Sequence, residues 1–435
     1  MGNGMQYASR GSKYRLYSAI LLWGCSAVSV AAPTEITMWR HLANIREMKA
    51  SAMAVERFNQ SQHRWKIVQE NIPEASYTQL ITAAAKAEQL PCVIDLDQPL
   101  VPNFAWNQFL RPLDGLIDAR ILDALNSSGK GTYQGKTYSV GQFDAALALF
   151  TRKSLLKKIG VRTPTLTHPW SKDEFMEVLD KIKATRTYQY PFDIRSNDMT
   201  EWLPYALSPM MLSWGADLIN RNNYVEVNGI LNSPKAIEFG HWLYSLVTNH
   251  YIERHPADDK GLLTGRVAIQ YHGSWAVGEF ERVLGDDLAI LPVPDFGHGP
   301  VIGGGSWQWA VTTDCPYPEG AKAFLTHMVS TKEIATVSIS ANAIPTLPAA
   351  TSLTQDFAPN GKWRIFYEFS ARFAKVRPET PAYAVISSSY KKAINAILDG
   401  EDPQIALDYA VDNIEAAIEH NKGYGFPLPV KSSTP

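Results

Sequence analysis

The sequence is short of cysteine, of net charge and of long apolar runs. Among its 435 residues only Cys25, Cys92 and Cys315 are cysteines, too few for a disulfide framework and wrongly spaced for a zinc site. Lys and Arg number 41 against 43 Asp and Glu, a net charge of −2, which leaves no basic footprint for nucleic acid. Past the N-terminal segment no window holds the ~18 apolar residues of a membrane-spanning helix. Enzyme signatures are missing too: there is no Gly-x-Ser-x-Gly elbow, P-loop, His-Glu-x-x-His or dinucleotide fingerprint after the first strand. His250 and His255 flank Glu253 without a further ligand, so neither a metal nor a cofactor is expected.

The N-terminus carries an address instead. Arg10, Lys13 and Arg15 precede the apolar run Leu16 to Val30 and then Ala31-Ala32-Pro33, the pattern of a secretory signal over residues 1–32. A second reading takes Leu22-Trp23-Gly24-Cys25 as a lipoprotein box with Cys25 acylated. The mature chain is expected to be exported, to the periplasm. Cys92 and Cys315 then remain either to pair or, as the simpler expectation, to stay as two buried free thiols.

A chain of this length exceeds one compact core, so two or more lobes are expected. Glu35 to Trp39, Trp65 to Ile72 and Cys92 to Leu96 read as strands, separated by helical periodicity over Ile45–Asn59 and Tyr77–Leu90. That alternation predicts an α/β fold with a parallel sheet and right-handed crossovers, whose ligands sit at the carboxyl ends of the strands. The rule selects Trp39, Arg40 and His41 past the first strand, Gln69 to Asn71 at the second, and Asp97 past the third. Trp170-Ser171-Lys172-Asp173-Glu174 opens a further helix like a capped start. Other helices are expected over Pro234–Val247, Gly320–Val329, Ser387–Leu398 and Pro403–Ile418, with a strand at Gly265–Gln270.

The chain is organised around Gly273 to Trp309. Gly303-Gly304-Gly305 permits close approach of backbone, and Trp307 and Trp309 follow at alternate positions, on one side of an extended chain. Flat apolar faces beside exposed N–H groups suit a neutral, hydroxyl-rich ligand such as a sugar. Asp97, Asp144, Asp198 and Glu201 supply carboxylates for a glycosidase, but such a pair needs a fixed separation of roughly 5 to 9 Å, which a sequence does not give. An exported, aromatic-rich, two-lobed chain without catalytic motifs reads as a binder and not an enzyme.

Short matches spread over nearly the whole mature chain carry a resemblance. They include Pro91 to Asp97 followed by Leu110-Arg111-Pro112-Leu113-Asp114, Gly135-Lys136-Thr137-Tyr138, and Leu263 to Ile269. Ala321-Lys322-Ala323-Phe324-Leu325, Ile344-Pro345-Thr346 and Ile397-Leu398-Asp399-Gly400 continue the series. In order and spacing the chain resembles the extracellular sugar-binding receptors of bacterial ABC importers, distantly similar to maltose-binding protein. Thr151-Arg152 and Gly141-Gln142 depart from that family's usual residues near the hinge.

The resemblance implies the type II periplasmic-binding-protein fold, an α/β Venus-flytrap with crossing hinge strands. It implies one lobe from residues 33–143 and 264–313, and another from 144–263 and 314–430. Carried onto this sequence, the cleft positions are Trp39, Arg40, Asp97, Asp144, Trp275, Gly304, Gly305, Trp307 and Arg377. Trp202 and Trp214 are the expected platforms of the second lobe. Trp275 and Trp307 would stack on sugar rings, Asp97 and Asp144 accept from hydroxyls, and Arg377 donate. The implied partners are a mono- or oligosaccharide and the permease subunits of an inner-membrane ABC transporter, with the receptor a monomer. Two alternatives stay open: an anionic sugar derivative held by Arg40, His41, Arg195 and Arg377, and a secreted carbohydrate-active enzyme.

Overall fold

The computed structural model describes residue 1, residues 32–198 and residues 200–428. The expected signal and Cys25 lie outside the described residues, apart from residues 1 and 32. The first strands are β1 (Thr34–Leu42), β2 (Trp65–Pro73), β3 (Val93–Asp97), β4 (Lys130–Tyr133) and β5 (Lys136–Val140). Next come β6 (Phe143–Asp144), β7 (Leu147–Arg152), β8 (Tyr190–Asp193), β9 (Val267–Gly273) and β10 (Leu288–Leu291). The last are β11 (Ile302–Gly304), β12 (Trp307–Val311), β13 (Ile344–Pro345) and β14 (Ala374–Val376).

Two larger sheets result, and with the helices on them they form a two-lobe α/β architecture. One runs β2-β1-β3-β12-β5-β4 and the other β10-β7-β9-β8. β1 pairs in parallel with both β2 and β3, as the strand–helix alternation predicts. β3 (Val-Ile-Asp-Leu-Asp) is buried along its whole length, as a central strand covered on both faces must be. Helix Ile45–Ser61 starts where Asn44 accepts hydrogen bonds from the N–H groups of Arg46 and Glu47. Helix Lys172–Ala184 begins with the reciprocal Ser171–Glu174 capping box, so its start was written in the local sequence.

The strands divide between the sheets differently from the lobes implied by the resemblance. Residues 264–313 split: β9 and β10 hydrogen-bond to β7, whereas β12 inserts between β3 and β5. Helices Pro318–Met328 and Thr331–Ala341 bury Phe324, Leu325 and Ile334 with Ile36, Phe58 and Trp309, in the core of the first sheet. The physical reason is burial: the apolar faces of these segments match a particular sheet, and only the folded packing states which. Ribbons β6–β13 and β11–β14 join the lobes.

Cys92 and Cys315 form a disulfide, contrary to the expectation of free thiols. They are 223 residues apart in sequence, but the antiparallel register sets Val93 opposite Val311. That pairing carries both cysteines to the same end of the sheet.

Candidate ligand-binding cleft

β3 ends at Asp97, and the antiparallel register places Trp307 directly opposite it. Directly opposed residues project from the same face, so a carboxylate and an indole stand together at the carboxyl end of the central strand. They line a cavity of ≈ 280 Å³. Trp202, Tyr205 and Trp275 line it from the second lobe, and Asp144 and Arg377 line it where the chain passes between lobes.

Trp307 is held from behind. One face of its ring stacks on His41, with centroids 3.6 Å apart and planes 16° apart. The His41 Nδ1 lies 2.6 Å from the Asp95 carboxylate, whose other oxygen accepts the His41 backbone N–H at 3.0 Å. Burial works against the imidazolium, but Asp95 outweighs it and the His41 pKa is raised. On the opposite wall the Trp202 and Trp275 rings meet edge to face, 6.2 Å apart at 89°, and Trp202 Nε1 donates to the Ile194 carbonyl at 2.7 Å.

Arg377 ties the two sides together. Its Nη1 and Nη2 donate to both oxygens of Asp97 at 2.8 and 2.7 Å, and Nη1 donates to Glu201 at 3.1 Å. Glu201 also accepts from the Ser387 hydroxyl at 2.6 Å and from the Tyr383 hydroxyl. Burial raises the Glu201 pKa against the pull of Arg377. Asp144 is fully buried and accepts from the Ser370 hydroxyl at 2.7 Å and the Ala145 N–H at 2.8 Å. With no cation beside it, burial raises its pKa as well.

Charge on the walls is predominantly acidic. Glu47, Glu74, Asp97, Asp144, Asp198 and Glu201 face the cavity, against Arg195, Arg377 and His41. Each of those basic groups already holds a carboxylate: Arg195 pairs with Asp198 at 3.0 Å, Arg377 with Asp97, and His41 with Asp95. Such a wall accepts hydrogen bonds from hydroxyls, and the partly exposed Trp275 and Trp307 indoles offer flat faces to sugar rings, whereas Trp202 is 3% exposed with Arg195 4.3 Å over its ring.

Of the residues expected in the cleft, Asp97, Asp144, Trp202, Trp275, Gly305, Trp307 and Arg377 line the cavity. Four do not. Trp39 Nε1 donates to Glu70 at 2.8 Å, over the neighbouring strand β2 and outside the cavity lining. Arg40 is 1% exposed and binds Glu47 at 2.6 Å behind the wall. Trp214 is core, stacked on Phe296 with centroids 5.3 Å apart. Gly304 sits in the β11–β14 ribbon, where a Cβ would meet Ala374 at 3.2 Å. Indeed the whole glycine run serves close approach of the chain to itself. A Cβ on Gly303 would lie 2.3 Å from the Tyr205 carbonyl oxygen, and one on Gly305 would lie 2.0 Å from the Gln98 side chain.

Sequence reasoning overlooked Glu74, Asn342 and Tyr205. Glu74 directly follows the end of β2, so the strand-end rule would have reached it a few residues further on. Asn342 ends helix Thr331–Ala341 in a left-handed conformation, φ 56°. Tyr205 follows Trp202 by three residues, and no local pattern says that it faces a cavity. Among the described residues no group of three or more His, Cys, Asp or Glu is placed to hold a metal ion, and no helix is long and apolar enough to cross a membrane.

Comparison with known proteins adds three kinds of likeness. Residues 53–363 match the family of bacterial extracellular solute-binding proteins. An uncharacterized lipoprotein in the oleD 5′ region of Streptomyces antibioticus is 24% identical over 327 residues, 72% of this chain and 69% of that one. The GacH receptor of Streptomyces glaucescens, solved unliganded and with acarbose, superposes with a TM-score of 0.75 at 22% identity, over 91% of this chain and 100% of that chain. The maltose/maltodextrin-binding domain MalE of Bdellovibrio bacteriovorus, bound to maltotriose, gives 0.75 at 17% identity, over 89% of this chain and 100% of that chain.

Proposed function

This chain belongs to the bacterial extracellular solute-binding proteins, and from that premise we propose that it is the receptor of an ABC importer, taking a neutral saccharide between its lobes. The observation that carries this reading is the facing of aromatic walls across one acidic cavity: Trp307 on one lobe, Trp202 and Trp275 on the other, with Asp97 and Asp144 between them. The ligands of the structural relatives, acarbose and maltotriose, are of the class such a cavity would take. A ligand touching both lobes favours the closed state by its differential affinity, and a permease then reads the closed form. In this reading one lobe holds roughly residues 33–142 and 305–350 and the other roughly 146–300 and 352–428, following the sheets and cores. Export to the periplasm, or anchorage through an acylated Cys25, completes the proposal.

An anionic ligand is disfavoured, because the cavity holds more carboxylates than basic groups and every basic group is already paired. One observation favours a second reading: Asp97, Asp144, Asp198 and Glu201 converge on the cavity, as a hydrolase would require. All four are engaged, however, by Arg377, Ser370, Arg195 and Ser387. Reducing sugar released from maltotriose by the purified protein would decide for the hydrolase. The receptor reading is tested by a thermal-shift screen against maltose, maltotriose, acarbose and acidic sugars. Ligand at a hundred times its Kd adds about 2.7 kcal/mol; a shift with neutral saccharides alone supports the proposal, and a shift with acidic ones alone refutes it.

A further inference from the structure

Tyr205 is fixed in every part except its hydroxyl. It lies on a π-helical turn, Leu203–Leu207, a form that recurs at functional sites. The turn is pinned: Tyr205 N–H donates to the Glu201 carbonyl at 3.0 Å, and the Ala206 carbonyl accepts from the Tyr271 hydroxyl at 3.1 Å. The ring is held against Gly303, where any Cβ would come 2.7 Å from ring carbons. The Arg377 guanidinium covers it, 5.0 Å from the ring centroid.

Tyr205 is only 8% exposed and lines the cavity, yet its hydroxyl oxygen is buried with no hydrogen-bond partner. Other buried tyrosines are mostly paired. The hydroxyls of Tyr77, Tyr271 and Tyr383 all donate to protein oxygens. A buried polar group left unpaired destabilises the fold unless something else satisfies it. The Gly303 contact shows that the main chain accommodates this ring where it stands, beside Asp144 and Arg377, which both act on its phenol.

We infer that the Tyr205 hydroxyl is a ligand contact, reading one oxygen of the bound molecule and contributing nothing to the fold of the empty protein. This rests on the reading of the cavity as a saccharide site. A site built to hydrogen-bond a hydroxyl discriminates strongly once that partner is missing. Binding would thus satisfy a group that folding leaves open, which also links affinity to closure of the cleft around Tyr205.

Tyr390 provides the control. Its hydroxyl is likewise buried without a partner, but it sits in the core of the second lobe and does not line the cavity. The experiment compares wild type, Tyr205→Phe and Tyr390→Phe by thermal unfolding without ligand and by calorimetry with maltotriose and with acarbose. Both variants are expected to unfold at or above the wild-type midpoint, since each loses an unsatisfied group. Only Tyr205→Phe is expected to bind more weakly, by tenfold or more. A midpoint several degrees lower for Tyr205→Phe would show that the fold uses the hydroxyl, and unchanged affinity would show that the ligand does not; either overturns the inference. If wild type binds neither saccharide, the saccharide reading fails by itself, and the midpoints alone decide whether the hydroxyl is free of the fold.

Discussion

Arg377 grips both carboxylate oxygens of Asp97, at 2.8 and 2.7 Å, across the boundary between the two lobes. Both side chains are largely buried, at 3% and 12% exposure, and Glu201 is the guanidinium's remaining partner. Breaking a buried pair from one side strands the other charge. Asp97→Ala is therefore expected to lower stability by about 3 kcal/mol and to abolish saccharide binding. Denaturant titration with calorimetry checks both, and an unchanged midpoint would mean that Glu201 alone suffices for Arg377.

Trp307 has one face on His41, and the residue lines the cavity. Trp307→Ala removes a stacking surface without opening the core, so affinity for maltotriose should fall tenfold or more while the unfolding midpoint stays within a few degrees. Unchanged affinity would remove Trp307 from the site.

Trp214 gives the opposite expectation. It is 3% exposed and packed among Phe239, Trp242 and Phe296, so Trp214→Ala should destabilise by about 3–5 kcal/mol. The milder Trp214→Phe should fold and bind as wild type does. Weaker binding by Trp214→Phe at an unchanged midpoint would return it to the site.

The Cys92–Cys315 disulfide closes a loop spanning 223 residues. Chain-entropy arguments give such a crosslink about 5 kcal/mol, and measured cases usually fall below this. Cys92→Ser with Cys315→Ser is expected to lower the midpoint by several degrees and to leave affinity unchanged, because the bond lies at the end of β3 away from Asp97. Equal midpoints with and without reductant would contradict this.

His272 sets a pH dependence of known sign. Its Nδ1 accepts the Gly273 N–H at 2.8 Å, which requires the neutral ring on that side. Burial and then Arg195 push its pKa down to about 4 from 6.5. Below pH 6.5 the unfolded chain takes up the proton first, so this contribution is complete above that pH and is lost as pH falls toward 4, on the order of 3 kcal/mol in all. Asp193 acts in the opposite sense: burial raises its pKa to about 6, so its contribution shrinks as pH rises from 3.8 to 6. The difference isolates His272. His272→Asn should gain stability relative to wild type as pH falls from 7.5 to 4.5, and a difference independent of pH would show that the ring is not held neutral.

The sequence by itself determined what depends on neighbours along the chain. The β1–β3 succession follows from alternating and helical periodicity, the helix start at Ser171 follows from capping chemistry, and Asp97 follows from its place at the end of a buried strand. The short ribbons β6–β13 and β11–β14 escaped because two or three residues carry no period. Tertiary structure alone decided which aromatic faces the ligand. Trp202 and Trp214 look alike in sequence, but one meets the cavity and the other meets Phe296, and that choice is set by packing against residues far away in the chain. The pairing of Cys92 with Cys315, the placing of β9 beside β7, and the open hydroxyl of Tyr205 have the same cause. Each depends on contacts between segments dozens to hundreds of residues apart, and no local pattern encodes them.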